Sequence, residues 1–134
     1  MDSSQFDLAC RTAENFLKLY YDSLDRKRHL MTKLYLDTAT LVWNGNGSTG
    51  KEGIQNFLSE LPSGSHAYNC FDIQQIPDCA VGENLTYVIQ TSGTVKYPGT
   101  SSLKHFMQNF VITAEGDKWK IVSDCFRFQE PIPS

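Results

Sequence analysis

The sequence has little of what marks secreted, membrane-spanning or metal-binding proteins. Its four cysteines are far apart, with no Cys-x-x-Cys pair and no histidine at metal-ligand spacing, so neither a disulfide framework nor a zinc site is indicated. No stretch approaches the ~18 uninterrupted apolar residues of a membrane helix. The start carries Asp2 where a signal peptide carries lysine or arginine, and no apolar segment follows. We therefore expect an intracellular protein without metal, cofactor or membrane contact, and four buried, reduced thiols at Cys10, Cys70, Cys79 and Cys125.

Basic residues are also few. The chain has twelve lysines and arginines and fifteen acidic residues, which gives a net charge of -3. The only dense basic run, Arg26 to Arg28, falls in a helical stretch and is typical of a solvated face, so direct nucleic-acid binding is not expected. The 134 residues fit one domain, residues 1–134, with a core from about residue 6 to residue 130.

The order of the elements predicts an α+β fold. Apolar residues at three- and four-residue spacing predict a helix over residues 5–24, with Phe6 in its buried stripe, and two shorter helices over residues 26–36 and 51–61. A short strand at residues 40–43 separates the last two helices. Four long strands follow: Ala67–Ile76, Leu85–Tyr97, Leu103–Glu115 and Trp119–Gln129. We expect three N-terminal helices packed on the concave side of a curved antiparallel sheet, as a cone.

The closing strand carries apolar residues on both faces, whereas a solvated antiparallel strand has one polar face. On one alternation lie Trp119, Ile121 and Cys125, and on the other Val122, Phe126 and Phe128. A domain of this size has too few helices to cover both faces of its sheet. We therefore expect another protein to cover one of them, and an interaction module is the favoured class.

A glycine-rich stretch offers a first alternative. Residues 45–50 satisfy GxGxxG, and with Lys51 they nearly satisfy the phosphate-binding GxxxxGK[ST] motif between a strand and a helix. However, Glu52 occupies the position of the magnesium-binding hydroxyl, and its charge would repel phosphates. Nothing after Leu61 is helical, so successive βαβ units are excluded. A turn followed by a helix start is the better explanation.

The second alternative is a small-molecule-binding protein or an acid/base enzyme that uses Asp124 inside the cone. Apolar neighbours would raise the pKa of its carboxyl group, and Tyr20 is a candidate neighbour. However, no second base is placed beside it, and four phenylalanines would fill the cavity: Phe106, Phe110, Phe126 and Phe128. An aspartate satisfied by buried hydroxyls or backbone groups is favoured. The histidines are interpreted as surface or strand residues: His29, His66 and His105.

Three segments carry a family resemblance. Residues 41–46 (LVWNGN), residues 50–54 (GKEGI) and residues 123–129 (SDCFRFQ), with Gln108-Asn109-Phe110 before the last, resemble the nuclear transport factor 2 superfamily and its Nxt export branch. The resemblance extends from about residue 6 to residue 130. It implies a non-enzymatic subunit that forms a heterodimer, through the exposed sheet face, with a related domain of the large messenger-RNA export receptor.

The resemblance also implies a setting. Such a pair shuttles between nucleus and cytoplasm through nuclear pores, and Phe-Gly nucleoporins are bound directly or through the receptor. The parent transport factor binds the GDP form of the GTPase Ran through acidic loop residues. Here the matching loop, residues 96–104, carries lysines and no acid, so Ran binding is not expected.

Arg127 is the residue that we expect to select the partner. In a two-fold homodimer an arginine near the axis would meet its own copy, whereas a different partner can offer a carboxylate. If no bulge interrupts the closing strand, Arg127 shares its face with Trp119 and Ile121. The predicted interface consists of Arg127, Trp119, Ile121, Cys125, Met107, Asn109 and Val111.

Overall fold

The computed structural model describes residues 2–77 and 84–129, so Cys79 and Glu130 lie outside the described residues. The two α-helices are α1 (Ser3–Arg26) and α2 (Gly50–Ser59), and a 3₁₀ helix runs from Arg28 to Leu34. The strands are β1 (Tyr35–Trp43), β2 (Asn46–Thr49), β3 (Ser65–Gln75), β4 (Thr86–Lys96), β5 (Lys104–Glu115) and β6 (Lys118–Phe128). The predicted α+β architecture, with helices first and long strands afterwards, is confirmed.

Helix α1 begins at a capping box and buries one stripe. The Asp2 carboxylate accepts the backbone N–H of Gln5 at 2.8 Å, and the Gln5 side chain accepts the N–H of Asp2 at 3.0 Å. The buried stripe consists of Ala9, Ala13, Phe16, Leu17, Tyr20, Tyr21 and Leu24. Phe6 was expected in this stripe but is 49% exposed. Because residues 2–8 are all exposed, the first two turns lie beyond the packed part of the helix.

The sheet is mixed, not purely antiparallel as predicted. Its six strands lie in the order β2-β1-β6-β5-β4-β3, and β1 runs parallel to the closing strand β6 while the other pairs are antiparallel. The reason is that β1 and β6 are joined through α2 and the intervening strands and not by a tight turn, so no hairpin makes this pair antiparallel. This strand is also longer than predicted, because it begins at Tyr35, directly after the 3₁₀ helix.

The glycine-rich stretch forms a hairpin and a helix start. Asn44 and Gly45 have φ angles of 49° and 86° between β1 and β2, as a two-residue hairpin turn requires. Gly50 then begins α2 with a φ of 81°. Because the described sheet is mainly antiparallel, its strands are not connected as successive βαβ units. This agrees with the interpretation of residues 45–50 as a turn followed by a helix start.

The core lies between the helices and the inner face of the sheet, and it is rich in aromatic rings. Phe106, Phe110 and Phe126 are at most 1% exposed. The Phe126 ring stacks on the Trp43 ring with a centroid distance of 3.8 Å. The thiols differ from expectation: Cys70 is exposed, and Cys10 and Cys125 are half-buried, because all three lie outside the buried stripe and the inner face.

Two findings on the described residues concern ligands and membranes. Residues 2–77 and 84–129 contain no helix that is both long and apolar enough to cross a bilayer. Within the same ranges, no three side chains of His, Cys, Asp or Glu lie close enough together to hold a metal ion.

Candidate partner interface and buried carboxylate

Strands β5 and β6 present alternate side chains on the face of the sheet opposite the helices. Met107 lies beside Arg127, Asn109 beside Cys125, and Val111 beside Ser123. On β5 the inward neighbours Phe106, Gln108 and Phe110 are completely buried, whereas Met107 is 49% exposed. We call this surface the outer face and define it by Val42, Met107, Asn109, Val111, Cys125 and Arg127.

Two residues predicted for this face lie elsewhere. Val111 pairs with Ser123 and Ile112 pairs with Ile121, so Val122 is the extra residue of a β-bulge. A bulge of one residue reverses the alternation of the strand that follows or precedes it. The placement of Ile121 and Trp119 with Arg127 was therefore wrong.

Both residues belong to the inner alternation. Ile121 is completely buried in the core of the chain. Trp119 is half-buried, and its ring stacks on Tyr87 with a centroid distance of 5.0 Å and an angle of 19° between the ring planes. The other five predicted residues share the outer face, and their contact with a partner stays a prediction.

Val42, which was not predicted for the interface, lies beside Cys125 on the outer face and is 38% exposed. The alternation of β1 shows that Val42 points away from Leu41 and Trp43, but the pattern does not show which strand lies next to it. The pairing of β1 with β6 supplies that information.

The outer face combines apolar side chains with the amide of Asn109 and one positive charge. Arg127 is exposed, and within the described residues no carboxylate lies within ion-pair distance of its guanidinium group. Its neighbours across the sheet are uncharged, with Met107 directly opposite. A partner that covers this face would meet apolar side chains and one cation that requires a carboxylate.

On the inner face, Asp124 is the centre of a buried hydrogen-bond network. The hydroxyls of Tyr20 and Tyr35 each donate to Asp124 Oδ2 at 2.7 Å, and Gln108 Nε2 donates to Oδ1 at 2.7 Å. Gln108 Nε2 also donates to the Tyr20 hydroxyl at 2.9 Å, and Gln108 Oε1 accepts from Tyr21 at 2.7 Å. The predicted proximity of Tyr20 and Asp124 is confirmed, and Tyr35 and Gln108 were missed.

Burial raises the pKa of Asp124 from 3.8 to about 6, and the hydrogen bonds from Gln108, Tyr20 and Tyr35 oppose this rise. Burial also raises the pKa of both tyrosine hydroxyls well above 10, so they donate and do not ionise. Because Asp124 is 2% exposed and both its oxygens accept hydrogen bonds, the carboxyl has no free oxygen for a substrate. The arrangement is that of an aspartate satisfied by buried hydroxyls and an amide.

His66 was predicted as a surface or strand residue. It lies on β3, but its side chain is only 3% exposed. Its Nδ1 lies 2.6 Å from Asp25 Oδ1, and its backbone N–H donates to Asp25 Oδ2 at 2.8 Å. The pair fastens the end of α1 to the start of β3, which gives Asp25 and His66 a structural role.

The fold and the arrangement of the outer face can now be compared with known proteins. Residues 12–128 match the nuclear transport factor 2 (NTF2) domain. The chain belongs to the nuclear transport factor 2 family. NTF2-related export protein 2 of Bos taurus is 46% identical over 128 residues, which cover 92% of this chain and 89% of that protein. The resemblance of the sequence to this family and its export branch is confirmed.

Solved structures show the same NTF2 fold. Nuclear transport factor 2 from Cryptosporidium parvum superimposes with a TM-score of 0.78 at 23% identity, and the match covers 93% of this chain and 95% of that one. A chain in the complex of Candida albicans Mtr2 with the Mex67 M domain gives a TM-score of 0.70 at 15% identity, covering 90% and 94%. The predicted cone-shaped NTF2-like fold is therefore confirmed.

Proposed function

We propose that this chain is a non-enzymatic subunit that pairs, through the outer face of its sheet, with the NTF2-like domain of a larger messenger-RNA export receptor. The pair would support passage of mRNA through nuclear pores and shuttle between nucleus and cytoplasm. The observation that carries the proposal is the outer face, where exposed Met107 and Val42 lie on central strands of the sheet. The export names of the relatives and the pairing of Mtr2 with a Mex67 domain support it.

Apolar burial would supply most of the affinity. Complete burial of an exposed methionine is worth roughly 1.5–3 kcal/mol, and because Met107 is 49% exposed, covering it contributes about half of that before the costs of association are subtracted. The stem of Arg127 lies beside Met107 across the β5–β6 pair and would extend the same contact, and Val111 lies further along β5, beyond Asn109. Apart from Arg127, the residues that define the outer face carry no charge. The buried centres of protein–protein interfaces are likewise depleted in charged residues.

Arg127 would select the partner. In a two-fold homodimer formed through this face, two copies of Arg127 would approach each other, and this repulsion disfavours self-pairing. A carboxylate on a different NTF2-like domain removes the repulsion and forms an ion pair. Loss of one member of such a buried pair costs ~3–5 kcal/mol, because the other charge is left unpaired.

The experiment measures molar mass by light scattering, for the chain alone and co-expressed with the NTF2-like domain of an export receptor. We expect a one-to-one complex that is lost in Arg127→Glu and in Met107→Asp. Two matched controls lie on α1: Arg11→Glu changes an exposed arginine, and Leu8→Asp changes a side chain that is 49% exposed, as Met107 is. Unchanged binding by both outer-face variants would refute the proposal.

The proposal includes two further expectations about partners. Phe-Gly nucleoporins would bind this chain directly or through the receptor, and RNA would contact the receptor and not this chain. Ran binding is not expected, because exposed Lys96 and Lys104 flank the loop after β4, and the Lys104 ammonium lies 4.9 Å from the centre of the Phe128 ring. A pull-down with the GDP form of Ran should therefore recover none of the chain.

A further inference from the structure

A cleft of about 500 Å³ opens on the helix side of the domain, between α1, the 3₁₀ helix and the turn that joins β5 to β6. Its apolar lining consists of Phe16, Leu19, Leu30, Leu34 and Trp119. Leu19 is 53% exposed, although its neighbour Phe16 is buried. An exposed leucine beside a half-buried tryptophan forms an apolar surface that the described part of the chain leaves uncovered.

The border of this cleft is positively charged. Four lysines contribute to it, Lys27, Lys33, Lys118 and Lys120, against one acidic residue, Asp117. Of these lysines, only Lys27 has a carboxylate within ion-pair distance among the described residues, namely Asp22 at 3.8 Å. In a chain with a net charge of -3, three lysines without such a partner around one apolar cleft are a local excess of positive charge.

We propose that this basic cleft binds an acidic peptide segment that carries one bulky apolar side chain. The apolar side chain would pack against Leu19 and Trp119, and carboxylates on either side of it would pair with Lys118, Lys120 and Lys33. Two properties of the cleft support this ligand: its volume accommodates one or two large side chains, and Lys33 and Lys118 are exposed, so flanking residues of a peptide would reach them. Lys120 is half-buried, and its ammonium donates to the backbone oxygen of Lys33.

A nucleic acid fits the cleft less well. Phosphate backbones are bound along extended basic grooves, commonly with arginine. This cleft is apolar in its interior, and the residues that line it include no arginine. The basic cleft also shares no residue with the outer face, so the peptide and the proposed receptor domain can be bound at the same time. The inference does not depend on the proposed function.

The test uses the full chain and fluorescein-labelled peptides, with binding followed by fluorescence anisotropy. The first peptide has a central leucine flanked by glutamates, the second has serine in place of the leucine, and the third has lysines in place of the glutamates. We expect the first peptide to bind and the other two to bind at least about tenfold more weakly.

Variants of the chain identify the site. Leu19→Ser and Lys118→Glu should each weaken binding of the first peptide by about tenfold. The matched controls Leu8→Ser and Lys96→Glu change exposed residues outside the cleft and should bind as the unmodified chain does. Because all four side chains are exposed, thermal unfolding should confirm that each variant is folded.

Three results would overturn the inference. They are the absence of binding by the first peptide, equal binding by the lysine peptide, and binding that is insensitive to both cleft variants. Oligouridylate serves as a further probe: tighter binding than the peptide, lost in Lys118→Glu, would assign the cleft to RNA instead. Arg127→Glu should leave peptide binding unchanged, which separates this test from the test of the receptor interface.

Discussion

The buried carboxyl of Asp124 should make the stability of the domain fall as the pH rises. In the folded state the pKa of Asp124 is about 6, against 3.8 for an unperturbed aspartate. Between these two pH values the folded state retains a proton that the unfolded state has released. Because the folded state then binds more protons, the free energy of unfolding decreases through this window and is constant above it. At ~1.4 kcal/mol per pKa unit, the decrease amounts to roughly 3 kcal/mol.

The substitution Asp124→Asn isolates this contribution. Asparagine keeps the size of the side chain and does not titrate, whereas every other group titrates alike in both proteins and cancels from the difference. The free energy of unfolding of the unmodified chain minus that of Asp124→Asn should therefore fall by ~2 kcal/mol from about pH 4 to about pH 7, because the rest of the ~3 kcal/mol is already lost below pH 4. The new amide N–H₂ meets the Gln108 amide donor, which adds an offset that does not vary with pH.

The assay is urea unfolding, followed by fluorescence at a series of pH values. The slope of the free energy of unfolding against urea concentration should be the same at every pH. Asp72→Asn, which makes the same replacement at an exposed position on β3, is the control for the substitution itself. If the difference for Asp124→Asn were flat or rose with pH, the hydrogen bonds from Tyr20, Tyr35 and Gln108 would outweigh burial, and the reasoning would be refuted.

Two further predictions concern the packing of β3. A Cβ atom on Gly93 would lie 2.1 Å from the backbone oxygen of Ala67, so Gly93→Ala should lower the free energy of unfolding by roughly 3 kcal/mol in urea titrations; a variant as stable as the unmodified chain would contradict this close approach. Asp25→Asn leaves one acceptor for the two N–H groups of His66, so it should cost ~1–3 kcal/mol and speed amide exchange of His66; unchanged exchange would show that the pair does not fasten α1 to β3.

The sequence was sufficient for most of the fold because hydrophobic periodicity directly reports which side of an element is buried. The last three long strands lie within one residue of their predicted bounds at each end, and α1 within two. Hydrophobic periodicity does not indicate whether two paired strands run parallel or antiparallel. The parallel pairing of β1 with β6 brings together residues about 80 positions apart, such as Val42 and Cys125, and no local pattern encodes such a contact.

The site was predictable to the extent that it depends on alternation within one strand. The alternation of the closing strand and the periodicity of the first helix each placed one residue, Asp124 and Tyr20, on the inner side. Their contact could therefore be predicted. Gln108 was not assigned to the network, although the alternation of β5 places it on the same face as Phe106 and Phe110. Its contact with Asp124 depends on how β5 pairs with β6, which the sequence of one strand does not show. The bulge at Val122 was missed although the sequence carries a trace of it. Apart from Cys125, the apolar residues of β6 fall on odd positions up to Ile121 and on even positions from Val122, a change of phase that one extra residue explains.

That one extra residue places the two ends of β6 on different surfaces of the domain. After Val122, the strand directs Asp124 and Phe126 inward and Cys125 and Arg127 to the outer face. Before Val122, the same alternation would have placed Trp119 outside, but the bulge turns it inward, where it reaches the basic cleft. An apolar tryptophan is thereby removed from the outer face and lines the basic cleft instead. The two proposed binding surfaces therefore share a strand but no residue, and variants can test each surface separately.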